Sequence, residues 1–223
     1  MRIRRLIQKK TKKFIIKKLS NNFSTLFQSF NMSERTYSDI PYVNVKFKKN
    51  SSLAKKNDNI LLKIDGVILP KILETGNFDV FLINFLKRNI KKNSIFVDIG
   101  SNHGLVTRQV SNISLIKKII YFEPVKEIFD LSVFNTKNIK NIERNNYGWA
   151  KKEGYKLFFE NPSNSGDFSL IPSKQRTIKH KFKFANAKTE LKKILNNNKQ
   201  KFKIILKTDC QGYDIELFSN FDA

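Results

Sequence analysis

Three acidic residues, Asp98, Glu123 and Asp209, each close an apolar run, and a glycine turn follows the first at once. Ser94 to Ile99 reads as a buried strand, Gly100 to Gly104 as a tight turn, and the residues after it as a helix. This is how an α/β sheet presents a nucleotide-sized cofactor to the carboxyl end of a strand. Gly100 lets the backbone turn sharply. Gly104 lets the helix start, with its unpaired N–H groups, sit close to a ligand. Glu123 lies 19 residues beyond Gly104, at the end of a second apolar run. An acid about 20 residues past such a turn is placed to accept the two hydroxyls of a ribose. Each acid also has a plainer use, Asp98 as a helix N-cap and Glu123 as an acid favoured by a helix dipole. Their coupling favours the cofactor site.

The elements that must position these residues are legible as a rhythm. Tyr42 to Lys48 alternates, with Val43, Val45 and Phe47 on one face. Ile60 to Ile64, Asp65-Gly66 and Val67 to Leu69 read as a hairpin with a tight turn. Asn77 is expected to cap a helix with Phe78, Phe81, Leu82, Phe85 and Leu86 as its core stripe. Strand, helix, strand and helix then alternate through Lys140, with Pro124 opening the second of these helices. Asn141 to Asn146 reads as a third parallel strand. Tyr155 to Glu160, Asp167 to Ile171 and Ile178 to Phe184 read as an inserted antiparallel set. A helix over Lys188 to Leu195 leads to the strand Phe202 to Asp209. This is an α/β, doubly wound sheet. Stopping soon after Asp209 would leave an apolar strand at a sheet edge, so the chain reads as C-terminally incomplete. The expected divisions are a basic lead segment over 1–33, N-terminal β elements over 34–76 and the main α/β core over 77–223.

The 223 residues suffice for one substantial core. A net charge of +24 would be felt by nucleic acid, an anionic membrane or an acidic substrate. The lysines are spread along the whole chain, which is equally the mark of compositional drift. One cysteine, Cys210, allows no internal disulfide and points to a reducing, cytoplasmic compartment. The lead segment carries nine Lys and Arg from Arg2 to Lys18 and no acid before Glu34. No run reaches the length of a membrane span. A solvated lead helix is the commoner outcome for such a stretch. Peripheral contact with anionic lipid at the inner membrane surface is the functional alternative. Two separated histidines and one cysteine supply no zinc ligand set. A carboxylate-bound divalent cation near Asp209 stays open.

With these residues in view, the chain resembles the FkbM family of S-adenosylmethionine-dependent methyltransferases. The resemblance is carried by Phe96-Val-Asp-Ile-Gly-Ser-Asn-His-Gly104, Tyr121-Phe-Glu-Pro124 and Lys207-Thr-Asp-Cys-Gln-Gly212, in that order, and covers roughly Asn77 to Phe218. Gln211 stands where many members have Glu, and Ser101 and His103 where small and aliphatic residues are common. The resemblance implies a Rossmann-like class I methyltransferase sheet and methyl transfer to a hydroxyl of a sugar, glycan or other small molecule. It implies S-adenosyl-L-methionine as cofactor, with Asp98, Gly100, Asn102, Gly104 and Glu123 around it and Asn146, beside Tyr147, near the adenine. Asp209 is the candidate at the reacting end, as base or hydroxyl positioner, and Lys207 its charge partner. A buried ion pair bracing the strand end is the competing reading of both. His103 reads as a satisfied helix-start residue before a base, His180 as solvent-facing, and Cys210 as a small buried thiol. The alternatives are a nucleic-acid methyltransferase, suggested by charge and by Lys181-Phe-Lys-Phe184, and an inactive cofactor-binding fragment. Against nucleic acid as partner, no Asn/Asp-Pro-Pro-aromatic turn follows Asp209.

Overall fold

The structure is a computed structural model that describes residues 30–31, 42–46, 53, 59–198 and 202–221. The basic lead segment thus lies almost wholly outside the described residues. Four parallel strands form the central sheet: β4 (Ser94–Ile99), β5 (Ile116–Phe122), β6 (Ile142–Asn145) and β11 (Lys203–Thr208). Their order is β11-β4-β5-β6. The chain therefore winds outward from β4 to β6 and then crosses back to β11 on the other side. That reversal beside β4 is the switch point at which open α/β sheets bind ligands.

The two central strands, β4 and β5, are the most apolar because both their faces are covered. Every residue of β4 is buried, as expected of a central parallel strand. Side chains alternate between faces. Phe96 packs with Ile83, Leu86 and Ile90 of one layer. Ile95, Val97 and Ile99 belong to the core of the other, with Trp149, Ala187 and Ile194. The first layer holds α2 (Val80–Asn89), α3 (Leu105–Val110) and α4 (Lys126–Asn135), because Asp98 and its register partner Tyr121, on that face, bond Thr107 of α3 and Ser132 of α4. The second holds α5 (Ala187–Asn197). The layer on the α5 side is extended by an antiparallel sheet. Its strands are β7 (Gly148–Ala150), β8 (Gly154–Glu160), β9 (Phe168–Ser169) and β10 (Ile178–Asn186), in the order β7-β10-β8-β9. Only the β10–β7 pair is parallel within it. The inserted set expected between Tyr155 and Phe184 is this sheet. Helices α5 (Ala187–Asn197) and α6 (Asp214–Phe218) flank β11 in sequence.

Two sequence expectations are corrected. The hairpin over 60–69 does not form: β3 (Asn59–Lys63) pairs backwards with β2 (Tyr42–Lys46), and β1 (Phe30–Asn31) completes that sheet. The residues after Gly66 form helix α1 (Ile68–Thr75), so the 34–76 unit is not all β. Asp65 is the reason. Its Oδ1 accepts the Val67 and Leu69 amides at 3.1 and 3.0 Å, which starts a helix rather than closing a turn. Pro70 sits in the first turn, where its missing N–H costs nothing.

The second correction concerns α2. Asp79, not Asn77, caps it, accepting from Leu82 N at 3.3 Å. Ile83 and Leu86 face the core, while Phe81 is 84% exposed and Phe85 is also exposed. Leu82 and Leu86 belong to two overlapping apolar stripes about one residue apart. Contact with Phe96 and Val106 selects the one that runs through Ile83.

Candidate functional site

The glycine turn is stitched to the end of β5. Gly100 N and Ser101 N both donate to Phe122 O, at 3.0 and 3.1 Å. Gly100 has φ +77, and a Cβ there would lie 2.3 Å from Asp209 O. Only glycine lets the turn and the end of β11 meet. Asn102 also has a positive φ, and its amide Nδ2 donates to Ser165 O at 2.6 Å. Gly104 faces Ser132 of α4 and Thr136 just beyond its end, so its lack of a side chain serves packing.

Glu123 is buried at the tip of β5. Its Oε2 accepts Asn102 N at 2.8 Å and its Oε1 accepts Val125 N at 2.9 Å. Each oxygen keeps a further lone pair. Burial raises its pKa to about 7 against the pull of those two amides and of Lys207. Ionised carboxylate and neutral acid are thus nearly balanced at neutral pH.

Asp98 is fully buried and does not reach the cavity. Its Oδ2 accepts the Thr107 hydroxyl at 2.8 Å, and its Oδ1 lies 2.9 Å from Lys207 Nζ. Lys207 also donates to Gly100 O at 3.2 Å. Burial works against the lysine's charge, yet Asp98 and Asp209 outweigh it and hold the ammonium above the usual lysine range. Asp209 Oδ2 is 4.0 Å from the same nitrogen, on an exposed side chain that Gln211 Nε2 steadies at 2.8 Å. Desolvation of Asp209 raises its pKa, with Asp214 and Asp98 adding to it and Lys207 opposing. A carboxylate so raised is a stronger base than a free aspartate.

These groups open on one cavity of about 250 Å³. Gly100, Asn102, Glu123, Lys207 and Asp209 line it; Asp98, Gly104 and Asn146 do not. Asn146 instead donates to Glu123 O at 2.9 Å and so braces the strand end. Tyr147 is likewise engaged elsewhere, with Glu190 at 2.9 Å. Phe158, Phe168 and Phe184 of the antiparallel sheet form an aromatic wall, and Val67, Ile68 and Lys71 of the N-terminal unit close another side. Two buried polar atoms of cavity-lining residues, Ser101 Oγ and Trp149 Nε1, have no hydrogen-bond partner among the described residues. Buried donors are nearly always satisfied, so these two mark places for a ligand's polar atoms.

Sequence reasoning missed the connection that holds the turn from above. Asp65 Oδ2 accepts Ser165 N at 3.1 Å and also the Ser165 hydroxyl. The Ser165 carbonyl in turn holds Asn102. In sequence Asp65-Gly66 reads as a turn, and a contact 100 residues away leaves no local signal. His103 is buried, and its Nε2 accepts Lys63 N at 3.0 Å, so the ring proton sits on Nδ1 toward Asn102 Oδ1. Burial lowers its pKa to about 4, which keeps it neutral and structural. His180 is not simply solvent-facing, since Nε2 pairs with Glu160 Oε2 at 2.7 Å. Burial pushes the Cys210 thiol well up, which makes it a poor nucleophile. Among the described residues, no group of three or more His, Cys, Asp or Glu side chains could hold a metal ion. No described helix is long and apolar enough to cross a membrane.

A buried acid with free lone pairs, a glycine turn beside it and an exposed base on the neighbouring strand can bind a diol-bearing ligand and accept a proton next to it. Comparison with known proteins finds no matching family model, no matching curated protein and no matching solved structure.

Proposed function

We propose that the chain is an S-adenosyl-L-methionine-dependent O-methyltransferase of class I, Rossmann-like type, acting on a hydroxyl of a sugar, glycan or other small molecule. One observation carries the reading. Glu123 and the turn residues Gly100 to His103, at the ends of adjacent parallel strands beside the switch point, face the same cavity as Asp209. The residues present fit such a cofactor. Glu123 offers lone pairs to ribose hydroxyls, Gly100 allows close backbone approach, and Ser101 Oγ and Trp149 Nε1 await partners. The free cavity is slightly below the ~300 Å³ at which pockets for drug-sized ligands begin, so binding requires some widening, which its exposed rim at Asp209 allows.

Bound there, S-adenosyl-L-methionine supplies an electrophilic methyl group. The chain's own work is positioning and exclusion of water. Asp98 acts from below, fixing Lys207, which holds the turn at Gly100 O and keeps a positive charge beside Asp209. Asp209 accepts the proton of the acceptor hydroxyl. The aromatic wall of Phe158, Phe168 and Phe184 covers the acceptor's apolar surface and keeps bulk water from the reacting atoms.

Titration calorimetry with S-adenosyl-L-methionine and S-adenosyl-L-homocysteine tests the first half. Wild type is expected to bind both, with Glu123→Ala weakened by about tenfold or more, the scale of a lost charged hydrogen bond. No heat with either ligand from folded wild type rejects the proposal.

A further inference from the structure

The outward face of the antiparallel sheet is unlike an ordinary solvent face. Strand β10 turns Lys179, Lys181 and Lys183 outward, all exposed. Directly opposite them on β8 stand Phe159, Leu157 and Tyr155. Leu157 is 49% exposed and Tyr155 74%. In a sheet with one wet face, polar residues are expected outward on both strands. Here one strand presents only lysine and its neighbour only apolar or aromatic side chains.

We propose that this face docks on an anionic lipid bilayer. The three lysines stand roughly 7 Å apart along the strand, so they span about 14 Å of a flat surface. Among the described residues none of them is paired with a carboxylate. The adjoining β7–β8 turn adds exposed Lys151 and Lys152, and its one acid, Glu153, interacts with Lys193 of α5. A lysine row flanked by leucine and tyrosine is the composition of an interfacial surface. Lysines meet lipid phosphates while Leu157 enters the acyl boundary and Tyr155 sits at headgroup level. Single-stranded nucleic acid fits less well, because base stacking needs successive aromatic platforms. The residue opposite the central lysine is aliphatic, and Phe159 is half-buried.

The inward side chains of the same two strands, Phe158 and Phe184, line the cavity. Docking therefore uses the far side of the sheet and leaves the cavity free. Membrane docking and the proposed chemistry are independent of one another.

The test uses the full chain, its lead segment intact, in sedimentation with phosphatidylcholine vesicles and with vesicles that also contain phosphatidylglycerol. Lys179→Gln/Lys181→Gln/Lys183→Gln is compared with wild type after circular dichroism establishes that both are folded. Wild type is expected to prefer the anionic vesicles, and the triple variant to lose about a hundredfold in partitioning. A second variant, Tyr155→Ser/Leu157→Ser, is expected to keep salt-sensitive binding but to release at moderate salt, where wild type stays bound. Equal anionic-vesicle binding by wild type and triple variant overturns the proposal, as does absence of binding by either. So does a triple variant that loses oligouridylate binding by as much as vesicle binding.

Discussion

Lys207 and Asp98 are direct register partners on adjacent parallel strands, and the lysine Nζ lies 2.9 Å from the Asp98 carboxylate. Asp98 is wholly buried and the Lys207 side chain is 13% exposed. Removing one member of such a pair leaves an uncompensated charge in the interior, at a cost of about 3–5 kcal/mol. Asp98→Ala should lose that much stability in urea unfolding, whereas Asp209→Ala, on an exposed side chain, should stay within about 0.5 kcal/mol. A loss below about 1 kcal/mol at Asp98 would mean that Lys207 is hydrated or paired elsewhere.

Glu123 and His103 pull stability in opposite directions over the same pH range. The folded pKa of Glu123, about 7, is above its ordinary 4.5, so the folded state binds more protons and stability falls as pH rises through that window. The folded pKa of His103, about 4, is below its ordinary 6.5, so stability rises with pH between those values. Each slope is on the order of 1.4 kcal/mol per pH unit. Between pH 4.5 and 6.5 the two nearly cancel. Glu123→Gln removes one of them. The stability of wild type minus that of the variant should therefore decline with pH across the Glu123 window, in denaturant titrations at several pH values. Parallel curves would show that the buried carboxyl does not titrate there.

Ser101 separates ligand recognition from folding. Its hydroxyl is buried and has no partner among the described residues, so Ser101→Ala removes an unsatisfied group and should leave ligand-free stability unchanged or up by about 1 kcal/mol. The same substitution should raise the S-adenosyl-L-methionine Kd about fivefold in calorimetry. Lower stability with unchanged affinity would assign Ser101 to the fold instead.

If Asp209 takes the hydroxyl proton, turnover should climb with pH as that carboxyl ionises, and the midpoint should lie above the ordinary aspartate range. Lys207→Met, which removes the opposing cation, should move the midpoint further up. Asp209→Asn should remove the acidic limb while cofactor binding persists. A pH–rate profile unchanged in Asp209→Asn would place the base elsewhere.

Sequence alone determined the central sheet and the positions of its acids. Fully buried parallel strands must be continuous apolar runs, a tight turn to a helix must be glycine-rich, and both marks are local. The antiparallel insertion was legible for the same reason, through alternation with period two. Tertiary structure decided what depended on distant partners. Asp65 starts a helix with one oxygen and with the other holds Ser165, a partner 100 residues away. The buried face of α2 was chosen by Phe96 from two equally apolar stripes. The division of labour among the acids was likewise spatial. Asp98 and Glu123 end neighbouring strands in the same way, yet register aims one at Lys207 beneath the turn and leaves the other on the cavity wall. A strand end announces a carboxylate in one dimension, but the partner that holds it is set only when the strands pair.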